Sequence, residues 1–133
     1  MMLHEKTTDK IIKAFYKVYN KLGYGFLEKI YEKSMIIELE KLGLNVISQK
    51  NIKVYYENIE VGSYFADLLV NNLVIIELKA VKSICEEHEA QLINYLRATK
   101  VEVGLLLNFG KKPEFKQKIF SNNKKGWNAD EAD

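Results

Sequence analysis

The sequence has almost none of the features that mark disulfide-stabilised, zinc-binding or membrane-spanning proteins. Cys85 is the one cysteine among 133 residues, which excludes an intramolecular disulfide and a cysteine-based zinc site. No apolar run approaches the roughly 20 residues that cross a bilayer. The first six residues are too polar for a signal peptide. We therefore expect a cytoplasmic protein with no membrane association.

The sequence also contains little arginine and proline, and its net charge is small. Arg97 is the single arginine among 20 cationic residues, and the formal net charge is +2. Lysine contacts phosphate as a point charge, whereas readout of guanine edges favours the arginine fork, so sequence-specific reading of a duplex is not expected. Pro113 is the one proline, and no Gly/Ser-rich linker interrupts the chain. A single domain over residues 1–133 is predicted, with its core at about 9–120 and a frayed tail at 121–133.

Hydrophobic residues make up 47% of the chain, enough for a packed core, and their spacing first predicts two helices. Thr7–Asp9 offers N-caps for a helix whose apolar positions recur with a period of 3.6 residues as far as Leu22. A second helix is predicted from about Phe26 to Leu42 and ends at Gly43. The residues of the second helix that are expected to face the core are Leu27, Ile30, Tyr31, Met35 and Leu39.

The second half of the chain changes mainly to the pattern of β-strands. One capping-box pattern, Ser83–Glu86, predicts a helix that continues to about Arg97. After Pro113, a short strand and a helical turn both fit the sequence. The order α, α, β, β, β, α, β predicts the α/β class, as an α+β mixed sheet flanked by helices. The predicted strands are Ile52–Tyr56, Val61–Val70, Leu73–Lys79 and Val101–Leu107.

Charged residues lie inside two of these apolar strands. Glu77 and Lys79 are two residues apart in one strand, and Asp67 lies in the strand before it. Burial of an unpaired carboxylate or ammonium costs several kcal/mol, so such charges are unusual in a core strand. A strand end that emerges into solvent would explain Glu77 and Lys79, but the additional carboxylate of Asp67 favours a functional site.

The length of the turn between these two strands decides whether the carboxylates meet. A two- or four-residue turn centred on Asn71 and Asn72 would place Asp67 and Glu77 on opposite faces of the sheet. A three-residue loop over 71–73, or a bulge in either strand, sets them side by side. Asparagine tolerates the left-handed conformation that such loops require. An odd-length turn or a bulge is therefore predicted.

Two carboxylates that lie side by side in a core repel each other unless a cation is placed between them. Mg²⁺ takes one or two carboxylates, a carbonyl and waters, so Asp67, Glu77 and the backbone carbonyl of Leu78 form a suitable set of ligands. Lys79 would hold a water or neutralise charge in the transition state. The pattern Asp-x₉-Glu-x-Lys is therefore typical of a metal-dependent phosphodiesterase.

Several short motifs resemble those of a known family. Asp67 with Glu77–Lys79 resembles the PD-(D/E)XK nuclease superfamily, and Gly25–Tyr31 matches the motif of the GxxExxY protein family within it. The resemblance covers about Asp9 to Phe120 and implies a restriction-endonuclease-like αβββαβ core, here with an extra N-terminal helix. Further blocks similar to that family are Ala66–Val70, Ile76–Ala80, His88–Leu92 and Gly104–Gly110.

The resemblance also implies roles for individual residues. Asp67 and Glu77 match the metal-binding carboxylates, and Lys79 matches the catalytic lysine. Glu28 matches a helix glutamate that reaches the metal site in many such nucleases, with a solvated helix charge as the alternative. Gln91 is similar to a glutamine that orients the catalytic lysine or the substrate, with an ordinary helix amide as the alternative. Residues assigned to the surroundings of the site are Tyr95, His88 and Tyr31.

The function predicted from the sequence is a metal-binding nuclease, a hydrolase that uses Mg²⁺ or Mn²⁺ to cleave phosphodiester bonds of nucleic acid, with DNA ahead of RNA as substrate. A homodimer would suit a small enzyme that must act on two strands. The alternative function is a non-catalytic nucleic-acid or protein interaction module that retains the nuclease fold. The intact set of Asp67, Glu77 and Lys79 argues against a module, because a chain without catalysis would gain by replacing costly buried charges.

Overall fold

The structure is a computed structural model that describes residues 3–125, in which the predicted helices and strands occur in the predicted order. Residues 126–133, most of the predicted frayed tail, lie outside the described part. The elements are α1 (Glu5–Leu22), α2 (Glu28–Lys41), β1 (Val46–Tyr56), β2 (Ile59–Val70), β3 (Val74–Lys79), α3 (Glu86–Arg97), β4 (Val103–Phe109), β5 (Pro113–Ile119) and a 3₁₀ turn at Asn122–Lys124.

The five strands form one mixed sheet in the order β1-β2-β3-β4-β5. Neighbouring strands are antiparallel except β3 and β4, which are parallel and joined by the crossover helix α3. The predicted mixed α+β architecture is therefore confirmed, and it is consistent with the restriction-endonuclease-like core that the resemblance implies. The segment after Pro113, for which two structures fitted the sequence, is a strand that pairs with β4 along its whole length.

The helices cover both faces of the central strands. One cluster joins α1 and α2 to one face of the sheet, through fully buried residues such as Phe15, Met35 and Ile76. The second cluster joins α3 to the other face, through Leu92 and Ile75 among others. Because β3 and β4 are buried on both faces, their sequences are almost continuously apolar. Within residues 3–125, no helix is both long and apolar enough to cross a bilayer.

The beginnings of α1 and α3 differ from the sequence-based prediction. Helix α1 starts at Glu5, so Thr7–Asp9 lies inside it, and the buried hydroxyl of Thr8 donates to the Glu5 carbonyl at 3.0 Å. Such local bonding satisfies a threonine within the first helical turn as well as at a cap. Helix α3 is capped at Cys85, where the backbone amide donates to Nδ1 of His88 at 3.2 Å. The capping box predicted at Ser83–Glu86 is therefore displaced by two residues.

Helix α2 buries a narrower stripe than its sequence predicts. Tyr31, Met35 and Leu39, spaced by four residues, are fully buried. Leu27 and Ile30 were expected to face the core, and this was wrong: they are 78% and 42% exposed. The helix begins only at Glu28, so Leu27 belongs to the incoming loop and is not part of the buried stripe. Apolar side chains are thereby left on the surface where the chain enters α2.

The chain after β5 is ordered for several residues beyond the predicted end of the core. The ammonium of Lys125 donates to the backbone carbonyls of Thr99 at 2.9 Å and Val101 at 2.6 Å. These bonds attach the segment to the loop between α3 and β4. Burial lowers the pKa of Lys125 to about 8, a shift that the nearby Glu102 opposes.

Candidate functional site

The turn between β2 and β3 has three residues, 71–73. Val70 pairs with Val74, and the register continues through Leu68 and Ile76. Asn71 and Asn72 both adopt the left-handed conformation, with φ of 53° and 56°. The predicted odd-length turn is thus confirmed. It places Asp67 and Glu77 at the next opposed position.

At that position the hydrogen bonds between β2 and β3 are accepted by the two carboxylates. The amide of Asp67 donates to Oε2 of Glu77 at 2.7 Å, and the amide of Leu78 donates to Oδ2 of Asp67 at 2.8 Å. Regular pairing of β2 with β3 ends one position earlier, at Leu68 and Ile76. The two strands therefore part exactly where their carboxylates meet, and each carboxylate keeps its second oxygen outside this exchange of bonds.

Strand β2 bends at the same place. Ala66 and Leu69 both pack in the cluster on the α3 side of the sheet, although side chains three residues apart in a regular strand face opposite sides. Leu68 packs on the face that carries α1 and α2. The alternation of side chains between the two faces is therefore interrupted next to Asp67, where the regular pairing of β2 with β3 also ends.

Both carboxylates are harder to ionise than usual. Glu77 is only 5% exposed, and its burial, followed by the charge of Asp67, raises its pKa to about 8. The hydrogen bond from Asp67 and the nearby Lys79 oppose this rise but do not cancel it. Burial also raises the pKa of Asp67, against the hydrogen bond from Leu78. The pair is therefore a site where added positive charge would be stabilising.

Helix α2 brings two more glutamates toward the pair. Glu32 accepts hydrogen bonds from the Ser48 hydroxyl at 2.7 Å and from the Gln49 amide at 3.1 Å. The same amide nitrogen of Gln49 lies 3.5 Å from Oδ1 of Asp67. Glu28 is exposed in the first turn of α2, and its charge and that of Glu32 both raise the pKa of Asp67.

Glu32 and Gln49 were not assigned to the site from the sequence. Glu32 follows Glu28 by one helical turn, which is a signal that would have found it. Gln49 could not be found in this way, because it comes from a different strand and has a left-handed backbone, with φ of 54°. Its position depends on how β1 packs against α2.

Tyr31 supports the loop before α2 and does not contact the carboxylates directly. Its hydroxyl donates to the Gly23 carbonyl at 2.7 Å and accepts the Phe26 amide at 3.2 Å. Its ring stacks on Phe109, with centroids 4.1 Å apart. Gly25 has φ of 109°, a conformation that other residues rarely adopt. The Gly25–Tyr31 motif therefore shapes a rigid loop and presents Glu28 at the start of the helix.

Helix α3 approaches the pair from the other side. Tyr95 is 5% exposed, and burial, Glu77 and Asp67 raise its pKa to about 12. Gln91, one turn earlier, lines a cavity of about 260 Å³ together with Tyr95 and Tyr64. His88 lies a further turn back, and its bond to Cys85 places its ring at the beginning of the helix.

Lys79 is half-buried at the end of β3 and pairs in register with Asn108 of β4. Asn108 is 1% exposed, and its side chain accepts the Val81 amide and donates to the Val81 carbonyl, both at 3.0 Å. The chain that follows Lys79 is thus fixed to the neighbouring strand. Lys79 therefore emerges from a well-defined backbone beside Glu77.

Among the described residues, the site brings together the acidic side chains of Asp67 and Glu77 and no larger cluster of potential metal ligands. Within 3–125, no cluster of three or more His, Cys, Asp or Glu residues is placed to hold a metal ion. Glu28 thus acts on the pair through its charge, at longer range than Asp67 and Glu77 act on each other.

Comparison with known proteins gives one family and one solved structure. The crystal structure of SSO0001 aligns with a TM-score of 0.48 at 15% sequence identity, and the alignment covers 70% of this chain and 50% of that one. No curated protein matches the sequence significantly. The model of the PD-(D/E)XK nuclease superfamily matches residues 5–119, which contain every helix and strand described above except the final 3₁₀ turn. The chain belongs to the PD-(D/E)XK nuclease superfamily.

Proposed function

We propose that the protein is a divalent-metal-dependent nuclease that hydrolyses phosphodiester bonds in nucleic acid. The observation that carries this proposal is the exchange of hydrogen bonds between Asp67 and the Glu77–Leu78 segment where β2 and β3 part. That exchange holds two carboxylates together in a largely buried position, and like charges so placed favour a bound cation. Membership of a nuclease superfamily supports the same activity.

The donor atoms suit a hard cation such as Mg²⁺ or Mn²⁺. Asp67 and Glu77 each commit one oxygen to a backbone amide, and the second oxygen of Asp67, Oδ1, lies 3.5 Å from the side-chain amide of Gln49. A cation bound at Oδ1 would replace this long contact. The amide of Leu78 points toward β2, and in an extended strand the carbonyl of the same residue points to the same side. Two carboxylates, one carbonyl and waters form a common ligand set for Mg²⁺. Glu28 would add negative charge, which increases the attraction for a cation.

The surrounding residues suit phosphodiester hydrolysis. When bound, a divalent cation supplies Lewis-acid stabilisation of charge on the scissile phosphate. Lys79 would contribute a second positive charge from the end of β3. Tyr95 remains protonated at neutral pH, since its pKa is about 12, so its hydroxyl can donate a hydrogen bond but cannot serve as a base. Gln91 would orient the substrate from the cavity that it shares with Tyr95.

The proposal includes the finer predictions made from the sequence. These are membership of the GxxExxY family, DNA as the preferred substrate, a single domain, a cytoplasmic location and a homodimer. The non-catalytic module is not favoured, because burial, followed by the charge of Asp67, raises the pKa of Glu77, and a buried pair of carboxylates would be a cost without benefit in a protein that only binds.

Cleavage of a labelled nucleic-acid panel tests the proposal. The panel contains single-stranded, duplex and branched DNA and RNA, each incubated with Mg²⁺, Mn²⁺ or EDTA. The wild type should cleave at least one substrate with a divalent metal and none with EDTA. Asp67→Asn, Glu77→Gln and Lys79→Ala should each abolish cleavage.

Two matched substitutions control for the loss of charge alone. Glu40 and Lys13 are exposed on α2 and α1, so Glu40→Gln and Lys13→Ala should leave cleavage unchanged. Lys79→Ala should also keep most of the affinity for nucleic acid, because one lysine contributes little to the total release of counterions. A wild-type protein that binds the panel and cleaves nothing with any divalent metal would favour the interaction module.

A further inference from the structure

A second surface lies beside the carboxylate pair and takes no part in holding a metal. Three loops enclose a cleft of about 480 Å³, which we call the lysine–aromatic cleft. One wall is the loop that precedes α2, the second is the chain that follows Lys79, and the third is the end of β4 with the turn after it. The lining of the cleft includes Tyr24, Phe26, Ala80, Lys82 and Lys111.

We propose that the lysine–aromatic cleft binds an unpaired segment of a nucleic-acid strand, with its phosphates at Lys82 and Lys111 and its bases stacked on Tyr24 and Phe26. This inference rests on the proposed function for its biological meaning, because it names the kind of substrate that the nuclease site would receive. The inference nevertheless depends on residues other than those of the carboxylate site. Binding to the cleft can therefore be measured without cleavage.

Charge is the first argument. Lys82 and Lys111 are both exposed, and the lining contains no acidic residue. This differs from the adjacent site, where the negative charges of Glu28 and Glu32 lie near Asp67. A phosphate backbone would be repelled by that site in the absence of a cation, but it would be attracted by the two lysines. The cleft therefore complements a polyanion.

Exposed aromatic rings are the second argument. Tyr24 is 56% exposed and Phe26 is 47% exposed, and the Phe26 ring makes a T-shaped contact with the buried Tyr31, with centroids 6.1 Å apart. Aromatic rings beside cationic side chains are the combination that holds unpaired nucleotides, because every base presents a π-face. A paired base within a duplex has both faces stacked and cannot use such a ring. The aromatic residues thus favour an unpaired segment over a duplex.

Rigidity of the walls is the third argument. The Tyr31 hydroxyl holds the first wall at Gly23 and Phe26, and Asn108 holds the second at Val81. The hydroxyl of Tyr19 shares its single proton between the carbonyl oxygens of Gly110, at 2.8 Å, and Lys111, at 2.6 Å, and so holds the third wall. A cleft that is formed before binding loses less conformational freedom on binding.

Position is the fourth argument. Ala80 directly follows Lys79, and Phe26 precedes Glu28 by two residues, so the cleft begins where the carboxylate site ends. A strand seated in the cleft would pass directly toward Lys79 and the carboxylate pair. The geometry thus assigns the cleft to the part of the substrate strand that flanks the scissile phosphate.

Fluorescence anisotropy in EDTA tests the inference without any cleavage. The probe is labelled oligothymidylate, with a blunt duplex of mixed sequence as competitor. The wild type should bind the single strand, and the duplex should compete poorly. Tyr24→Ala and Phe26→Ala should weaken binding about fivefold or more, as removal of a stacked base contact does. Lys82→Gln and Lys111→Gln should each make the salt dependence shallower by about 0.7 in the slope of log affinity against log salt.

Control variants separate the cleft from general effects. Tyr56→Ala and Lys13→Gln change residues that are exposed outside the cleft, so affinity and salt slope should stay at wild-type values. Tyr24→Trp should restore the binding lost in Tyr24→Ala, and the fluorescence of the new indole should be quenched by the bound strand above the background of Trp127. Thermal unfolding of each variant shows that a loss of binding is not a loss of folding.

The outcomes distinguish this inference from the proposed function. Undiminished binding in the folded double variant Tyr24→Ala with Lys82→Gln would overturn the inference, as would equal competition by the duplex or no binding by the wild type. If that variant cleaves a duplex at the wild-type rate, the nuclease proposal is supported and the inference about the cleft is not. Cleft-dependent binding by a protein that cleaves nothing would support the inference and overturn the nuclease proposal.

Discussion

Asp67 and Glu77 are ten residues apart in sequence, and the backbone amide of Asp67 donates to the carboxylate of Glu77 at 2.7 Å. This bond stands where a main-chain carbonyl of β3 would otherwise accept. The sheet thus uses an acidic side chain as a structural acceptor, and the same side chain is available to a cation. The structural role of Glu77 and its proposed role as a metal ligand are therefore coupled.

Loss of either carboxylate is expected to abolish metal binding. Calorimetric titration with Mn²⁺ should show binding by the wild type and none by Asp67→Asn or Glu77→Gln, since each variant removes one of two charged ligands. Glu40→Gln, on the exposed face of α2, should bind as the wild type does. Equal binding by the two site variants would place the metal elsewhere.

The stability of the metal-free protein is expected to fall as pH rises through neutrality. The pKa of Glu77 is raised from 4.5 to about 8, so the folded protein holds a proton that the unfolded chain releases between these values. The corresponding contribution to stability is complete below pH 4.5 and is lost as pH rises through about 8, by an amount on the order of a few kcal/mol.

Chemical denaturation in EDTA over this pH range measures the effect. Glu77→Gln should flatten the pH dependence, because the neutral amide is not ionised in either state. Addition of Mn²⁺ at the alkaline end should restore stability to the wild type, since a ligand of the folded state stabilises it. The same pH dependence in Glu77→Gln and wild type would show that another group carries it.

Asn108→Ala is expected to destabilise the fold by about 2–4 kcal/mol, because the backbone amide and carbonyl of Val81 both lose their partners. The chain after Lys79 would also lose its attachment to β4, so nuclease activity should decrease even in conditions where the variant is folded. Urea denaturation and the cleavage assay measure the two effects. Asn123→Ala, at an exposed position, provides the control with no expected change.

Gly104→Ala is expected to cost about 1–3 kcal/mol of stability, because a Cβ at this position would lie 2.6 Å from Cδ1 of Leu92. Leu92 is fully buried on α3, so it can move only by displacing its neighbours. The urea midpoint reports the change. Gly62→Ala, where a Cβ meets nothing within 4 Å, should have little effect, and equal costs for the two variants would exclude close packing as the cause.

Much of the sheet and the centre of the site could be predicted from the sequence. The apolar runs of β3 and β4 identify central strands because only burial on both faces allows such composition. The two asparagines after β2 allowed the three-residue turn, and that turn brought Asp67 to Glu77. These inferences depend on local pattern alone.

The remaining features depend on contacts between distant parts of the chain. The exposure of Leu27 follows from the late start of α2 and the way Tyr31 holds the preceding loop. The link from Glu32 through Gln49 to Asp67 joins α2, β1 and β2. Side-chain periodicity within one element carries no information about such bonds, so sequence reasoning could not locate them.

The left-handed residue Gln49 has a further consequence for how the protein meets other molecules. Strand β1 is an outer strand of the sheet, so one side of its backbone is open to pairing with another chain. Gln49 interrupts the regular repeat of that edge, and the exposed Lys50 and Lys53 follow it. Kinks and lysines of this kind discourage edge-to-edge aggregation. The predicted homodimer is therefore expected to form without pairing β1 of one copy with β1 of the other.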